Sequence, residues 1–200
     1  MTTLPTFRAA LGPAFDRLAP ALRRHYDLAA GETVVVRGRM RAWSRFPWLR
    51  LFLPFMPIPA ESVEVTVHNR GLLDRGELCY EWVRLFAYPG RTLESYTLTR
   101  PAPGSARVLD TFNRRANIAV TLGLDVLDDG AALRQVNAGP QFALFGARRL
   151  PLPPFAHVHT VAVERAVDER TVHTEVTISH PLLGRMFGYE GKLIVDSDSR

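Results

Sequence analysis

From Thr33 the chain alternates. Val34, Val36, Gly38 and Met40 fall on one side of a two-residue period, and Val35, Arg37, Arg39 and Arg41 on the other. That pattern predicts a strand, Thr33 to Ala42, with an apolar face and a wet Arg face. From residue 62 the signature recurs almost to the end. Val63, Val65 and Val67 alternate with Glu64, Thr66 and His68, and a turn is expected at Asn69-Arg70-Gly71. Glu77 to Tyr88 sets Tyr80, Trp82, Arg84, Phe86 and Tyr88 on one face. Further strands are predicted over Thr92–Arg100, Arg107–Phe112, Asn117–Leu127, Leu133–Asn137, Phe142–Phe145, Val158–Val167, Thr171–Ser179 and Lys192–Asp196. Pro89-Gly90, Pro101 to Gly104, Asp128-Asp129-Gly130 and Asp168-Glu169 supply the turns between them. Gly139-Pro140 marks a bulge or an edge.

Two stretches break the alternation. Leu4, Phe7, Leu11, Phe15, Leu18 and Leu22 recur at steps of three and four, the one-sided stripe of a helix. Pro13 and Pro20 divide it into short helices, each Pro near a start. The stripe is expected to pack on the outside of a sheet. The second stretch is Phe46 to Ile58, FPWLRLFLPFMPI, apolar nearly all round with Arg50 its one charge. Pro47 favours a helix start, and Pro54, Pro57 and Pro59 an end. Three readings stay open: a core helix plugging one end of the sheet, a lid over a pocket, or an interfacial segment dipping into lipid beside Arg39, Arg41, Arg45 and Arg50.

Many short strands at intervals of roughly ten residues argue for an antiparallel barrel or sandwich. The predicted fold is one mainly-β domain over residues 1–200: a single antiparallel β-barrel, calycin-like in outline. Short N-terminal helices occupy residues 1–30, and one apolar helical insertion, residues 45–60, follows the first strand as plug or lid. A helix-grip sheet competes, but it needs a long C-terminal helix where this chain ends in a strand. The segment Thr171 to Leu193 is where the barrel should close: a strand, a corner at His180-Pro181, an apolar turn over Leu182 to Phe187, then a closing strand.

Composition narrows the partners. The net charge of +5 is almost all Arg, Lys192 being the sole Lys, and the Arg residues are scattered. No basic run or recognition motif points to nucleic acid. Cys79 is the single cysteine, which excludes an internal disulfide and a Cys-based metal site and suits a reducing, cytoplasmic setting. The N-terminal MTTLPTFRAALG lacks the layout of a signal peptide. No apolar run approaches the roughly 20 residues a spanning helix needs, so no stable membrane insertion is expected. A homodimer stays open.

Several stretches together resemble a known family. LGPAFDRLAPALRRHY, VVVRGRMRA, the apolar segment with its Pro-rich turn, RRLPLPPF and VTISHPLLGRMFGYEGKL resemble the bacterial domain-of-unknown-function family 4166 over almost the whole chain. Lys192 stands where that family usually carries a tryptophan. Members occur alone or fused behind saccharopine-dehydrogenase-like domains. The resemblance implies a fold and no activity, and it opens the reading of an interaction module that regulates a fused or neighbouring oxidoreductase.

The candidate chemistry lies on the faces that should turn inward. His157 and His159 are two apart with Val161 and Val163, and His180 follows Val176 and Ile178, so three imidazoles could meet at one end of the barrel. The competing reading leaves them at the rim bonded to backbone, and neither a metal nor a cofactor is called for. Asp110 lies between Val108 and Phe112, where burial would raise its pKa and fit it for general-base work. His180 and Tyr80 are the other acid–base candidates. Trp82, Arg84, Phe86, Tyr88, His157, His159, Phe52, Met56, Phe187 and Tyr189 are expected to line a ligand cavity, Arg84 gripping an anionic or enolate-like group. Structural ion pairs of Arg84 or Arg114 with Asp110 or Glu81 are the plainer alternative. Cys79 falls on the opposite face and should be inert. The expected function is binding of a small hydrophobic molecule, a lipid or a polyketide- or terpenoid-like metabolite, inside the barrel. A cofactor-independent isomerase or cyclase using the same cavity is the alternative.

Overall fold

The computed structural model describes residues 4–48, 56–102, 105–112, 118–145 and 148–196. The alternating segments become eleven strands. They are β1 (Thr33–Ser44), β2 (Ala60–Asp74), β3 (Glu77–Tyr88), β4 (Arg91–Pro101), β5 (Arg107–Phe112), β6 (Ile118–Leu127), β7 (Ala132–Phe145), β8 (Arg148–Pro151), β9 (His159–Ala166), β10 (Thr171–His180) and β11 (Gly184–Val195). Hydrogen bonds run β6-β5-β4-β3-β2-β1-β11-β10-β9-β7, and β6 also pairs with β7. Every pairing is antiparallel. The sheet therefore closes on itself as a ten-strand barrel, with β8 hung on the outer end of β7. Closure removes the exposed edges that an open sheet would present. The expected mainly-β, calycin-like barrel is the fold.

Two turns differ from expectation. Asn69-Arg70-Gly71 is not a turn: β2 runs through it to Asp74. The hairpin bends instead at Arg75 and Gly76, both at positive φ (55° and 83°), the pairing a tight two-residue turn requires. Gly71 is needed for another reason. A Cβ there would lie 2.1 Å from the Ala29 carbonyl oxygen of the incoming chain. Likewise, the apolar turn expected over Leu182 to Phe187 is shorter, because β11 already begins at Gly184. Gly139-Pro140 does mark a bulge, since Val120 pairs with Gln141 and Leu122 with Asn137.

The N-terminal segment forms α1 (Thr6–Leu11), a 3₁₀ turn (Gly12–Arg17) and α2 (Pro20–Tyr26), with a Pro near the start of the last two. Its stripe does not lie on the outside of the sheet. Phe7, Phe15, Leu22 and Tyr26 are fully buried in one cluster with Val36, Tyr80, Trp82, Leu133 and Val195. Phe7 packs 4.2 Å from the Tyr26 ring, 5.2 Å from Tyr80 and 6.4 Å from Trp82, measured between centroids. The helices thus stopper one end of the barrel, where inward-facing strand residues offer them more apolar area than the Arg-bearing outer wall. Residues 49–55 of the expected insertion, Phe52 included, lie outside the described residues. Its described end returns across the other mouth of the barrel. Met56 is buried with Met186 and Phe187, against Phe46, Val158 and Ile178.

Candidate functional site

Between the helical stopper and that second mouth lies a cavity of about 80 Å³. Its walls come from the two-residue period. Met40 of β1, Val67 of β2, Trp82, Arg84 and Phe86 of β3, Leu122 of β6, Val176 and Ile178 of β10, and Phe187, Tyr189 and Leu193 of β11 all turn inward. The Phe86 and Tyr189 rings meet edge to face at 5.9 Å. The apolar lining is interrupted at two places by buried polar groups.

The first is on β3, β4 and β5. Asp110 pairs across the ladder with Thr99, whose hydroxyl donates to its Oδ1 at 2.6 Å. Trp82 Nε1 donates to the same Thr99 oxygen at 3.2 Å. Burial pushes the Asp110 carboxyl up from 3.8 to about 6, although the Thr99 hydrogen bond and the positive charge of Arg84 pull it down. The Arg84 guanidinium sits over the Trp82 ring at 4.6 Å and donates to Thr97 Oγ1 at 3.1 Å. No carboxylate among the described residues lies within ion-pair distance of it. The expected structural pairing of Arg84 with Asp110 or Glu81 is therefore not formed, and Arg114, the other cation expected to pair, lies outside the described residues.

The second group lies at the floor, where α2 meets β9. Glu164 accepts from the Tyr26 hydroxyl at 2.7 Å and from Thr174 Oγ1 at 3.2 Å, while Gln135 Nε2 donates to the Tyr26 oxygen at 3.0 Å. His25 Nδ1 is 3.3 Å from the Asn69 amide nitrogen. With that amide donating, the ring proton sits on Nε2, which is buried 3.5 Å from Glu164 Oε2 without a hydrogen-bond partner. Burial holds the imidazole below its ordinary pKa, against the pull of Glu164, so it is neutral at pH 7. Burial also raises the hydroxyls of Tyr26, Tyr80 and Tyr189, which stay protonated donors.

Of the residues singled out from sequence, Asp110, Trp82, Arg84, Phe86, Phe187 and Tyr189 surround this cavity. The others are placed elsewhere. Tyr80 donates to the His25 carbonyl and belongs to the helical stopper. Tyr88 donates to the Ile58 carbonyl and accepts its N–H, both at 2.8 Å, fastening the chain that crosses the mouth beside Met56. The three histidines do not converge. His157 Nε2 is 2.8 Å from the Leu152 carbonyl, His180 Nδ1 accepts the Leu182 N–H at 3.2 Å, and His159 is exposed. Among the described residues no cluster of His, Cys, Asp and Glu has metal-binding geometry. Cys79 is buried, its thiol pushed up by burial.

The side of β9 that turns inward is the reverse of the one expected. Thr160, Ala162 and Glu164 face the cavity, and Val161 faces solvent. The apolar look of Val161 and Val163 concealed this. The signal that could have found Glu164 is the register itself: it pairs with Thr174, whose neighbours Val172 and Val176 turn inward. His25 and Tyr26 were hidden for another reason. They end an apparent surface helix that is in fact inside the barrel.

No curated protein and no solved structure is significantly similar to this chain. One family profile does match, over residues 18–193, which takes in α2 and all of the barrel but the last two residues of β11. The chain therefore belongs to the domain of unknown function family DUF4166.

Proposed function

We propose that the barrel binds a small, mainly apolar molecule bearing a carbonyl or carboxylate oxygen, which Arg84 receives. One observation carries this reading: a guanidinium inside an aromatic-lined cavity without a carboxylate among the described residues in contact. A charge so placed is costly unless a ligand or water completes its hydrogen bonds. Size sets the class. An apolar cavity of about 150 Å³ suffices for benzene, and drug-sized pockets run to about 300–1,000 Å³. The volume here, about 80 Å³, favours a compact acid or ketone over an entire lipid tail unless the mouth opens.

Native mass spectrometry of the purified protein tests this. A co-purified acid or carbonyl compound that is lost from Arg84→Met, while the melting temperature holds, is the expected result. Equal retention by Arg84→Met would remove the basis of the reading.

Catalysis is the second reading, and Asp110 favours it. A carboxyl group with a pKa of about 6 can both take and return a proton near neutral pH. An isomerase or cyclase of the kind expected from sequence would use it on a carbon next to the carbonyl that Arg84 polarises. Asp110→Asn should then keep the ligand bound and abolish its conversion; conversion at the wild-type rate would leave binding alone.

A further inference from the structure

The mouth opposite the helices has a surface that the cavity does not explain. Because the barrel is antiparallel, the ends of β1, β3, β5, β7 and β10 gather there with the segment that follows β8. The stretches 44–60, 88–93, 111–118, 144–159 and 176–187 contain no Asp or Glu. At the helix end, by contrast, Asp27, Glu32, Asp74, Asp128, Asp168 and Asp196 cluster in the corresponding connections. Four of these carboxylates are ion-paired, Asp27 with Arg8, Asp74 with Arg100, Asp128 with Arg165 and Asp196 with Arg37, whereas the mouth carries Arg with no acid on its connections. Arg45, Arg148, Arg149 and Arg185 lie there, and no carboxylate among the described residues pairs with any of them.

The same rim is apolar. Among the described residues ten large hydrophobic side chains are exposed, and five of them, Trp48, Leu150, Phe155, Leu182 and Leu183, are on β8 or on these connections. Phe155 is 67% exposed and Leu182 77%. They lie on neighbouring parts of the rim, since β1, β11, β10, β9, β7 and β8 are consecutive in the sheet. Direct ties hold the parts together. The Arg45 N–H donates to the Met186 carbonyl at 2.8 Å, and Gln141 bonds both the N–H and the carbonyl of Val158.

We propose that this rim docks reversibly on the surface of an anionic lipid bilayer. Trp, Phe and Leu side chains partition into the headgroup–acyl boundary, and Arg residues near it add electrostatic attraction to anionic headgroups. A second copy of this chain is a poor occupant, because rim against rim brings like charges together with no carboxylate to offset them. The docking does not depend on what the cavity holds, so it can stand if the Arg84 reading fails, and the converse is also true.

Co-sedimentation with phosphatidylcholine vesicles, with and without phosphatidylglycerol, tests it. The chain should bind only vesicles containing phosphatidylglycerol, and raised salt should release it. Arg148→Glu with Arg149→Glu should weaken binding by about tenfold or more, as should Phe155→Ser with Leu182→Ser. Arg17→Glu with Arg75→Glu, the same charge change at the helix end, should leave binding unaltered. All these side chains are exposed, so the variants should melt like the wild type. Equal binding to neutral vesicles would overturn the proposal, as would an equal loss with the helix-end pair. So would a failure to bind either vesicle, with the rim variants instead splitting a dimer seen by light scattering.

Discussion

Asp110 shows how burial of one residue ties stability to its protonation. Its folded pKa is raised from 3.8 to about 6, so folding favours its protonated form. Well below pH 3.8 both states are protonated and the group is neutral to stability. As pH rises through 4 to 6 the unfolded chain ionises first, and stability falls by up to about 3 kcal/mol, at about 1.36 kcal/mol per pH unit. Asp110→Asn keeps an oxygen for the Thr99 hydroxyl and loses the titration. Its melting temperature should exceed that of the wild type at pH 8 and match it near pH 3; equal gaps at both would show that the carboxyl does not titrate as described. His25 acts at the other side. Its lowered pKa means the unfolded chain binds the proton first, so stability declines as pH falls below about 6.5. Asp110 was legible from its place between Val108 and Phe112. Glu164 was not, because charge on a strand reads as exposure until Tyr26 and Thr174 are brought to it.

At the scale of elements, the helical stopper decides most. Neither α1 (6 residues) nor α2 (7 residues) is long enough to persist alone in water. Their stability comes from inserting Phe7, Phe15, Leu22 and Tyr26 into the barrel end. Phe7→Ala should cost about 3–5 kcal/mol, measured by urea unfolding. A cost under about 1 kcal/mol would mean that the barrel end is stable without its stopper. The i, i+3, i+4 stripe of this segment was visible in the sequence, and so were its Pro starts. Its location was not. A stripe records which side is apolar, and both the outer wall and the inside of a barrel can receive it. The turn after β2 has the same lesson in reverse. Asn-Arg-Gly has turn composition, yet Gly71 is glycine to admit the Ala29 carbonyl, and Arg75-Gly76 makes the bend.

The whole molecule is held by ring closure. The β6–β7 pairing joins the two ends of the sheet, so ten strands share one cooperative unit, whereas β8 is an exposed four-residue appendage bonded to β7 alone. Hydrogen exchange should separate them. Amides of β8 should exchange by local opening, and those of β2, β3, β10 and β11 only with global unfolding. Exchange of β6 and β7 ahead of β2 and β3 would place the weak seam there and argue for an open sheet in solution. The charge axis is also a whole-molecule property. It follows from strand direction, because the connections gathered at the mouth are all acid-free.

The sequence alone determined the strand period, the all-antiparallel barrel, the short helices and the aromatic inward face of β3. These are local: a two-residue or 3.6-residue repeat is written in neighbouring residues. Membership of the family was legible for a similar reason, in short stretches of matching residues. Tertiary structure decided the rest. It placed the helices within the barrel, chose Thr160 and Glu164 as the inner side of β9, left Arg84 without a carboxylate partner among the described residues, and kept the three histidines apart. Each of these depends on register and closure, which set residues distant in the chain side by side. No period in the sequence encodes that distance.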